Sequence, residues 1–585
     1  MTPFFLKHSR ARAVPRGLTA VIFLIGLLGL PAPSVRAGLP VGDILFVTPA
    51  GSGLLASCAD WTNSCTLQRA LSLAVSGDAI WVKQGLYSPG PDRADTFQLK
   101  TGVEIYGGFE GTPGERFDQR NPNNALTVLS GENVNPHSGD NSYHVVTGTG
   151  VDSTAILDDF TITGGYADGA TSIDKSGGGM INNPGSPTLV NIDFLDNYAF
   201  SQGGGLYNAA AGEVKSDAHL SDCSFTSNEA GSGGGMVNVN SNPVLSRVIF
   251  TGNHANSVGG GMANVGNPIL TDVIFAGNTA ADGAGLRNTN SSPSINRAIF
   301  KNNISSSFGG GIENWTSSPT LTNVTFFQNS ATNQGGGMIN QLNSFPQLKN
   351  VTFKGNSAIH GGAIANLNSS PTIVNGILWG DTATGQGNEI FNDNSSSTVS
   401  YSDVQGGFTG VGNIDKDPLL GSLGTYGGKV DVLPLLPGSP AIGLGDNGNC
   451  ASTDARNVSR PPWTPCDMGA FESRGFTLAL AGGDHQSTDI LTAFPDPLAV
   501  TVTSSFGEPV DGGLVRFSKP ITGPSAVLSS ATGSITGGAA SVTATANVYG
   551  GSYEITADAS GGSNSVIFHL TNRSPYNLFL PMICK

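Results

Sequence analysis

The sequence predicts an all-β chain: a parallel β-helix of about twelve coils stacked at the ~4.8 Å strand spacing, followed by a β-sandwich. Three observations lead there. A Phe-x-x-Asn word recurs at Phe194, Phe225, Phe250, Phe275, Phe300, Phe326 and Phe353. A glycine cluster followed by an apolar residue and, two positions on, an Asn recurs in step with it, ending at Asn182, Asn208, Asn238, Asn264, Asn288, Asn314, Asn340 and Asn366. From Phe476 the texture changes to alternating strands broken by turn signals over about a hundred residues, the pattern of a sandwich.

In chain order, Lys7, Arg10, Arg12 and Arg16 precede the apolar run "LTAVIFLIGLLGL" and the small-residue site "VRAG". Thirteen apolar residues fall short of the ~20 that cross a bilayer, so residues 1–37 read as a cleaved signal peptide, leaving a secreted or cell-surface chain with no transmembrane span. Residues 38–77 supply a strand and a capping helix. In "TLQRALSLAVSG", Leu67, Ala70, Leu71, Ala74 and Val75 share one helical face and Gly77 stops the helix. The solenoid then covers 78–401, with regular copies over 177–380. The repeat period is 24 to 26 residues in most copies and 30 in one.

Within a copy such as "LTDVIF", Val273 and Phe275 share one face while Asp272 and Ile274 share the other, which is strand alternation. No copy holds a helix-length segment. The Phe, Val and Met columns therefore fill the interior. The asparagines form ladders whose amides bond the coils above and below. Glycines supply the sharp corners. Residues 402–475, rich in Gly and Pro, close the far end; 476–572 form the sandwich and 573–585 an apolar tail. Export permits disulfides, and the neighbouring pairs Cys58/Cys65 and Cys450/Cys466 are expected to form two. Cys223 stands where other copies carry Val and reads as core.

The words "FTGN", "FAGN" and "FKGN", with "GGAI", resemble the repeats of the chlamydial-type polymorphic outer-membrane proteins. That resemblance implies a surface-exposed, adhesive β-helix. The flanks "GDAIWVKQGLYSP", "VEIYGGFEGT", "GSPAIGLGDNG" and "CDMGAFE" resemble secreted bacterial right-handed β-helix proteins with an anchor-type C-terminal region. "FGEPVDGGLVRF" and "ANVYGGSYEITA" resemble the bacterial Ig-like domains of invasin-type proteins, which act as spacers or adhesive modules. No segment has the form of a translocating barrel, so the autotransporter mechanism is not implied.

A net charge of −15 excludes a nucleic-acid partner, which needs a basic face. The outward column holding Asp222, Arg247, Asp272 and Arg297 alternates in sign and reads first as a ladder that stabilises the sheet. The same row could grip a sugar chain. Beside it, Ile249, Ile274 and Ile299 form an apolar column that calls for a cover. The long copy places Glu213, Lys215, Asp217 and His219 on one loop, and insertions in solenoids map to binding faces. Trp315 could stack on a sugar ring. No catalytic set and no metal site emerges, and calcium, which clustered carboxylates would admit, has no matching loop. The sequence therefore points to a non-catalytic adhesin binding an extracellular polysaccharide or surface protein. Its rival is a lyase or glycoside hydrolase acting on such a polysaccharide.

Overall fold

The computed structural model describes residues 42–52, 57–122, 126–132, 140–461 and 465–574. The expected leader, the tail from 575 and Cys584 lie outside the described residues. Among the described residues the chain is all-β apart from the helix Leu67–Leu73 and one 3-10 turn.

The rod is a parallel solenoid of about twelve turns with three faces, sheets of 20, 11 and 9 strands among the described residues. Each repeat contributes one rung to every face. Ile269–Ala276 pairs in register with Ser294–Lys301 on the first, Met262–Val265 with Leu286–Thr289 on the second, and His254–Val258 with Thr279–Asp282 on the third. The interior is built from columns. Phe194, Phe225, Phe250, Phe275, Phe300, Phe326 and Phe353 are fully buried and stack nearly parallel, ring centroids 4.3 to 5.1 Å apart. Each such ring, removed from water, contributes about 1.5–3 kcal/mol.

The corners are stitched by side chains. Asn182 Nδ2 donates to Asn208 Oδ1 at 2.8 Å, and the same bond repeats from Asn208 through Asn238, Asn264, Asn288, Asn314 and Asn340 to Asn366 and Asn392. A second column runs from Asn197 through Asn228, Asn253, Asn278, Asn303 and Asn329 to Asn356. Here each amide also donates to a backbone carbonyl of the preceding coil, Ile162 for Asn197 and a Phe for the rest, as Asn278 does to Phe250 at 3.0 Å. The glycine triplet has separate jobs. Gly259 lies at φ +66, while a Cβ on Gly260 or Gly261 would sit 2.5 or 2.6 Å from a carbonyl oxygen of the next coil.

The capping helix differs from expectation at its end. Thr66 caps it by accepting from Arg69 N–H at 3.2 Å, and Leu67, Ala70 and Leu71 face the core. The helix stops at Leu73, because Asp78 Oδ2 takes the Val75 N–H at 2.9 Å and draws the chain out of helical geometry. Val75, placed on the buried face by periodicity, is 65% exposed.

The segment expected to close the far end divides in two. Its first part does sit there: Asp403–Val404 adds a rung to Ile377–Leu378, and Phe408 packs on the core. From Ile414 to Phe471 the chain instead lies along the flank of the first face. Met468, Ala470, Phe471, Val430, Val432 and Leu435 pack with Ile299 and Ile377. The outward apolar column is thereby covered: Ile249 is 41% exposed, whereas Ile299 is fully buried. The Cys450–Cys466 disulfide lies within this flank segment and Cys58–Cys65 near the N-terminal cap. Cys223 is in the core, where burial pushes its thiol up to about 12.

The C-terminal sheets form a β-sandwich. One has Thr477–Gly482, Leu498–Thr503 and Ala539–Val542; the other centres on the hairpin of Gly551–Asp558 and Val566–Arg573. The sandwich is tied to the flank segment through Leu514 N–H to the Pro437 carbonyl at 2.8 Å and Gly438 N–H to the Ser560 carbonyl at 3.0 Å. Beneath those bonds lies a buried ionic cluster. Arg456 pairs with Asp454 and with Glu508 of the sandwich at 3.0 Å, and its guanidinium lies 3.6 Å over the Phe471 ring.

Candidate functional site

The alternating charge column is not a flat strand position. Asn191, Asp222, Arg247, Asp272, Arg297, Asn323, Asn350 and Asn375 all have φ between +49 and +57. Each marks a left-handed kink that divides the first face. Asn and Asp tolerate that conformation by local bonding, while Arg does so only under tertiary restraint. The restraint is visible. Arg247 forks onto Asp222 at 2.5 and 2.6 Å, and Arg297 onto Asp272 at 2.7 and 2.8 Å. The column thus consists of two closed ion pairs rather than a continuous charged row. Both carboxylates and both guanidinia are engaged with each other, not presented to a ligand.

Further along the same column the amides hold the flank segment. Asn323 donates to the Thr453 carbonyl at 2.9 Å, Asn350 accepts from Ala451 N–H at 3.1 Å, and Asn375 accepts from Asp446 N–H at 2.7 Å.

The long-copy loop does not gather its four residues into one constellation. Glu213, Lys215 and His219 are exposed, while Asp217 accepts the Asn242 N–H at 2.6 Å and pins the loop to the next coil. Trp315 is 37% exposed and lies 5.3 Å from the Arg287 guanidinium. Arg287 in turn contacts Glu313 at 2.5 Å. Glu313 also accepts from Gln341 Nε2 at 3.2 Å and is 1% exposed. Burial outweighs the arginine and pushes its carboxyl up to about 8.

One cavity was not visible in the sequence. A cleft of about 690 Å³ opens where rod, flank segment and sandwich meet. Trp379 and Lys354 line it from the rod, Asp417 and Tyr426 from the flank, and Asp511 from the sandwich. Two aromatic faces flanked by a cation and two acids make an amphipathic wall that suits a ligand with apolar ring faces and many hydroxyls. Asp417 is held by its own turn, accepting from Leu419 N–H at 3.0 Å, and Asp511 by a neighbouring loop of the sandwich, accepting from Gly538 N–H at 2.7 Å. The carboxyls that burial raises lie elsewhere: Asp159 and Asp403 to about 7, Glu313, the neighbours Asp381 and Glu389, and the neighbours Asp467 and Glu472. None of them lines the cleft.

No protein-family model matches the chain, and no curated protein matches it. Among solved structures, a crystal structure of pectate lyase Pel9A aligns at 12% identity with a TM-score of 0.38, covering 74% of this chain and 97% of that one. The likeness lies in the winding of the chain, and no residue's role follows from it.

Proposed function

We propose that this chain is an exported β-helical rod with an Ig-like module that binds an extracellular polysaccharide without cleaving it, in adhesion or matrix attachment. The observation that carries the reading is the junction cleft, with Trp379 and Tyr426 facing it beside Lys354, Asp417 and Asp511. Aromatic faces give sugar rings apolar contact, and the charged rim meets hydroxyls. Hydrolysis by paired carboxyls needs one held protonated near neutral pH within reach of the substrate. The raised acids of this chain are buried in the rod and flank, away from the cleft. A leader-like N-terminus and two disulfides favour an oxidising, extracellular setting. The repeat's resemblance to surface adhesins favours the same role.

The test is incubation of the purified protein with a panel of extracellular polysaccharides, with and without calcium. Retention on a polysaccharide without change in chain length is expected. New reducing or unsaturated ends, abolished by substitutions in the cleft, would establish the lyase or hydrolase reading instead.

A further inference from the structure

The sandwich carries a second group of polar side chains, far in sequence from the repeats. Asp484, His485 and His569 bring a carboxylate and two imidazoles together, with one ligand atom from each lying within 4.8 Å of the others. His569 Nδ1 is 3.2 Å from Asp484 Oδ1, and His485 Nε2 is 3.5 Å from Asp484 Oδ2. Two ligands of a tetrahedral zinc ion, each bonded at 2.0–2.1 Å, stand about 3.4 Å apart. The two imidazole–carboxylate separations, one to each oxygen of Asp484, are close to that spacing.

The surroundings are built to hold these groups. Asp484 Oδ1 accepts the backbone N–H of His569 at 2.6 Å and of His485 at 2.8 Å, fixing the carboxylate between the two rings. His485 sits at φ +51, a left-handed conformation that a histidine adopts at a cost and that turns its ring onto His569. The rings lie 6° from parallel with centroids 4.8 Å apart. On the far side of His569, Glu554 Oε1 lies 3.7 Å from Nε2. His569 thus has a carboxylate oxygen near each of its two ring nitrogens.

We propose that Asp484, His485 and His569 form a binding site for one divalent ion of the zinc, nickel and copper class, with Glu554 orienting His569 from its opposite nitrogen. Imidazole nitrogens with one carboxylate select these borderline metals over calcium or magnesium, which prefer all-oxygen shells. The remaining coordination positions face solvent, because the two rings are largely exposed.

The test uses the untagged full chain, dialysed against chelator and then titrated with zinc chloride. One equivalent bound is expected, weakened at least about tenfold in His485→Asn and in His569→Asn. The variant His254→Asn, a histidine on the rod surface, should bind as the wild type does. With copper(II), paramagnetic resonance should report two nitrogen ligands in the wild type and one in each sandwich variant. The ring positions are exposed, so the variants should fold, which circular dichroism checks. No binding by the wild type overturns the proposal; so does binding that survives both sandwich substitutions, or that falls equally in His254→Asn.

Discussion

Asp381 Oδ1 accepts both the backbone N–H of Asn356, at 2.6 Å, and its side-chain amide, at 2.7 Å. An acid thus occupies the rung where the second asparagine column would continue. It has no amide to pass onward, so the column ends there. Its other oxygen and Glu389 Oε2 are both buried without a hydrogen-bond donor, the arrangement in which two carboxyls share a proton. Burial raises both, Asp381 to about 6 and Glu389 to about 10, and the Asp381 charge further opposes ionisation of Glu389.

The sign of the pH effect follows. Both groups have folded values above their ordinary 3.8 and 4.5, so the folded state holds the proton more tightly. Their stabilising contribution is complete below about pH 4 and is lost as pH rises toward 10. In Glu389→Gln, whose amide donates at every pH, urea midpoints measured from pH 5 to 10 should fall much less than in the wild type. Parallel curves for the two proteins would refute the shared proton.

Asn278 serves four partners. Its Oδ1 accepts from Asn253 N–H and Nδ2, and its Nδ2 donates to the Phe250 carbonyl and Asn303 Oδ1. Asn278→Ala leaves those groups buried and unpaired, at a cost of about 2–4 kcal/mol. Asn278→Asp should be worse, because an ionised oxygen would face Asn303 Oδ1. Equilibrium urea unfolding checks both the size and the order.

Arg456 is the hub between flank and sandwich, and its removal strands Glu508 and Asp454 without their cation. Arg456→Met should cost about 3–5 kcal/mol at that junction. Hydrogen exchange should rise in residues 504–514 and 454–460 while the amides of 253–278 keep their protection. Uniform loss of protection along the rod would contradict a local tie.

Trp379→Ala and Tyr426→Ala each remove an aromatic face from the junction cleft. Polysaccharide retention should weaken by about 1–2 kcal/mol per ring, roughly five- to thirtyfold, and each variant should also lose some thermal stability while staying folded, since both rings pack against the flank core. Asp222→Asn and Arg297→Gln, in the closed ion pairs, should leave retention as it is. Affinity electrophoresis separates the two outcomes.

The solenoid was legible because its repeat writes each core column into the sequence at a fixed offset. Phe275 and Asn278 can be placed from spacing alone, down to the face they occupy. The kinks at Asp272 and Arg297 were not, since a left-handed residue inside an alternating run leaves the alternation of its neighbours intact. The cover over Ile299 was anticipated by that column's apolar character. What covers it was not, because Met468 and Phe471 follow no repeat and meet the rod only through contacts with residues far away in sequence, such as Ile299 and Ile377. The cleft has the same origin: Trp379, Tyr426 and Asp511 come from three regions whose docking is set by packing, not by any local pattern. Val75 was misplaced for a smaller reason, a single carboxylate from Asp78 that captures its N–H one turn early.

Both asparagine columns pass their amide-to-amide bonds in one direction, each Nδ2 donating to the Oδ1 of the coil that follows, while in the second column the other N–H turns back to a Phe carbonyl of the preceding coil. Turning over one amide would set two oxygens face to face on one side and two NH₂ groups on the other. An orientation error cannot stay local; it must be carried to an end of the column or remain as a defect in dry surroundings. The amides of one column therefore order together, like aligned magnets in a chain. Their summed dipoles give the rod an electrical head and tail, with the positive ends directed at the terminus where Asp381 stands.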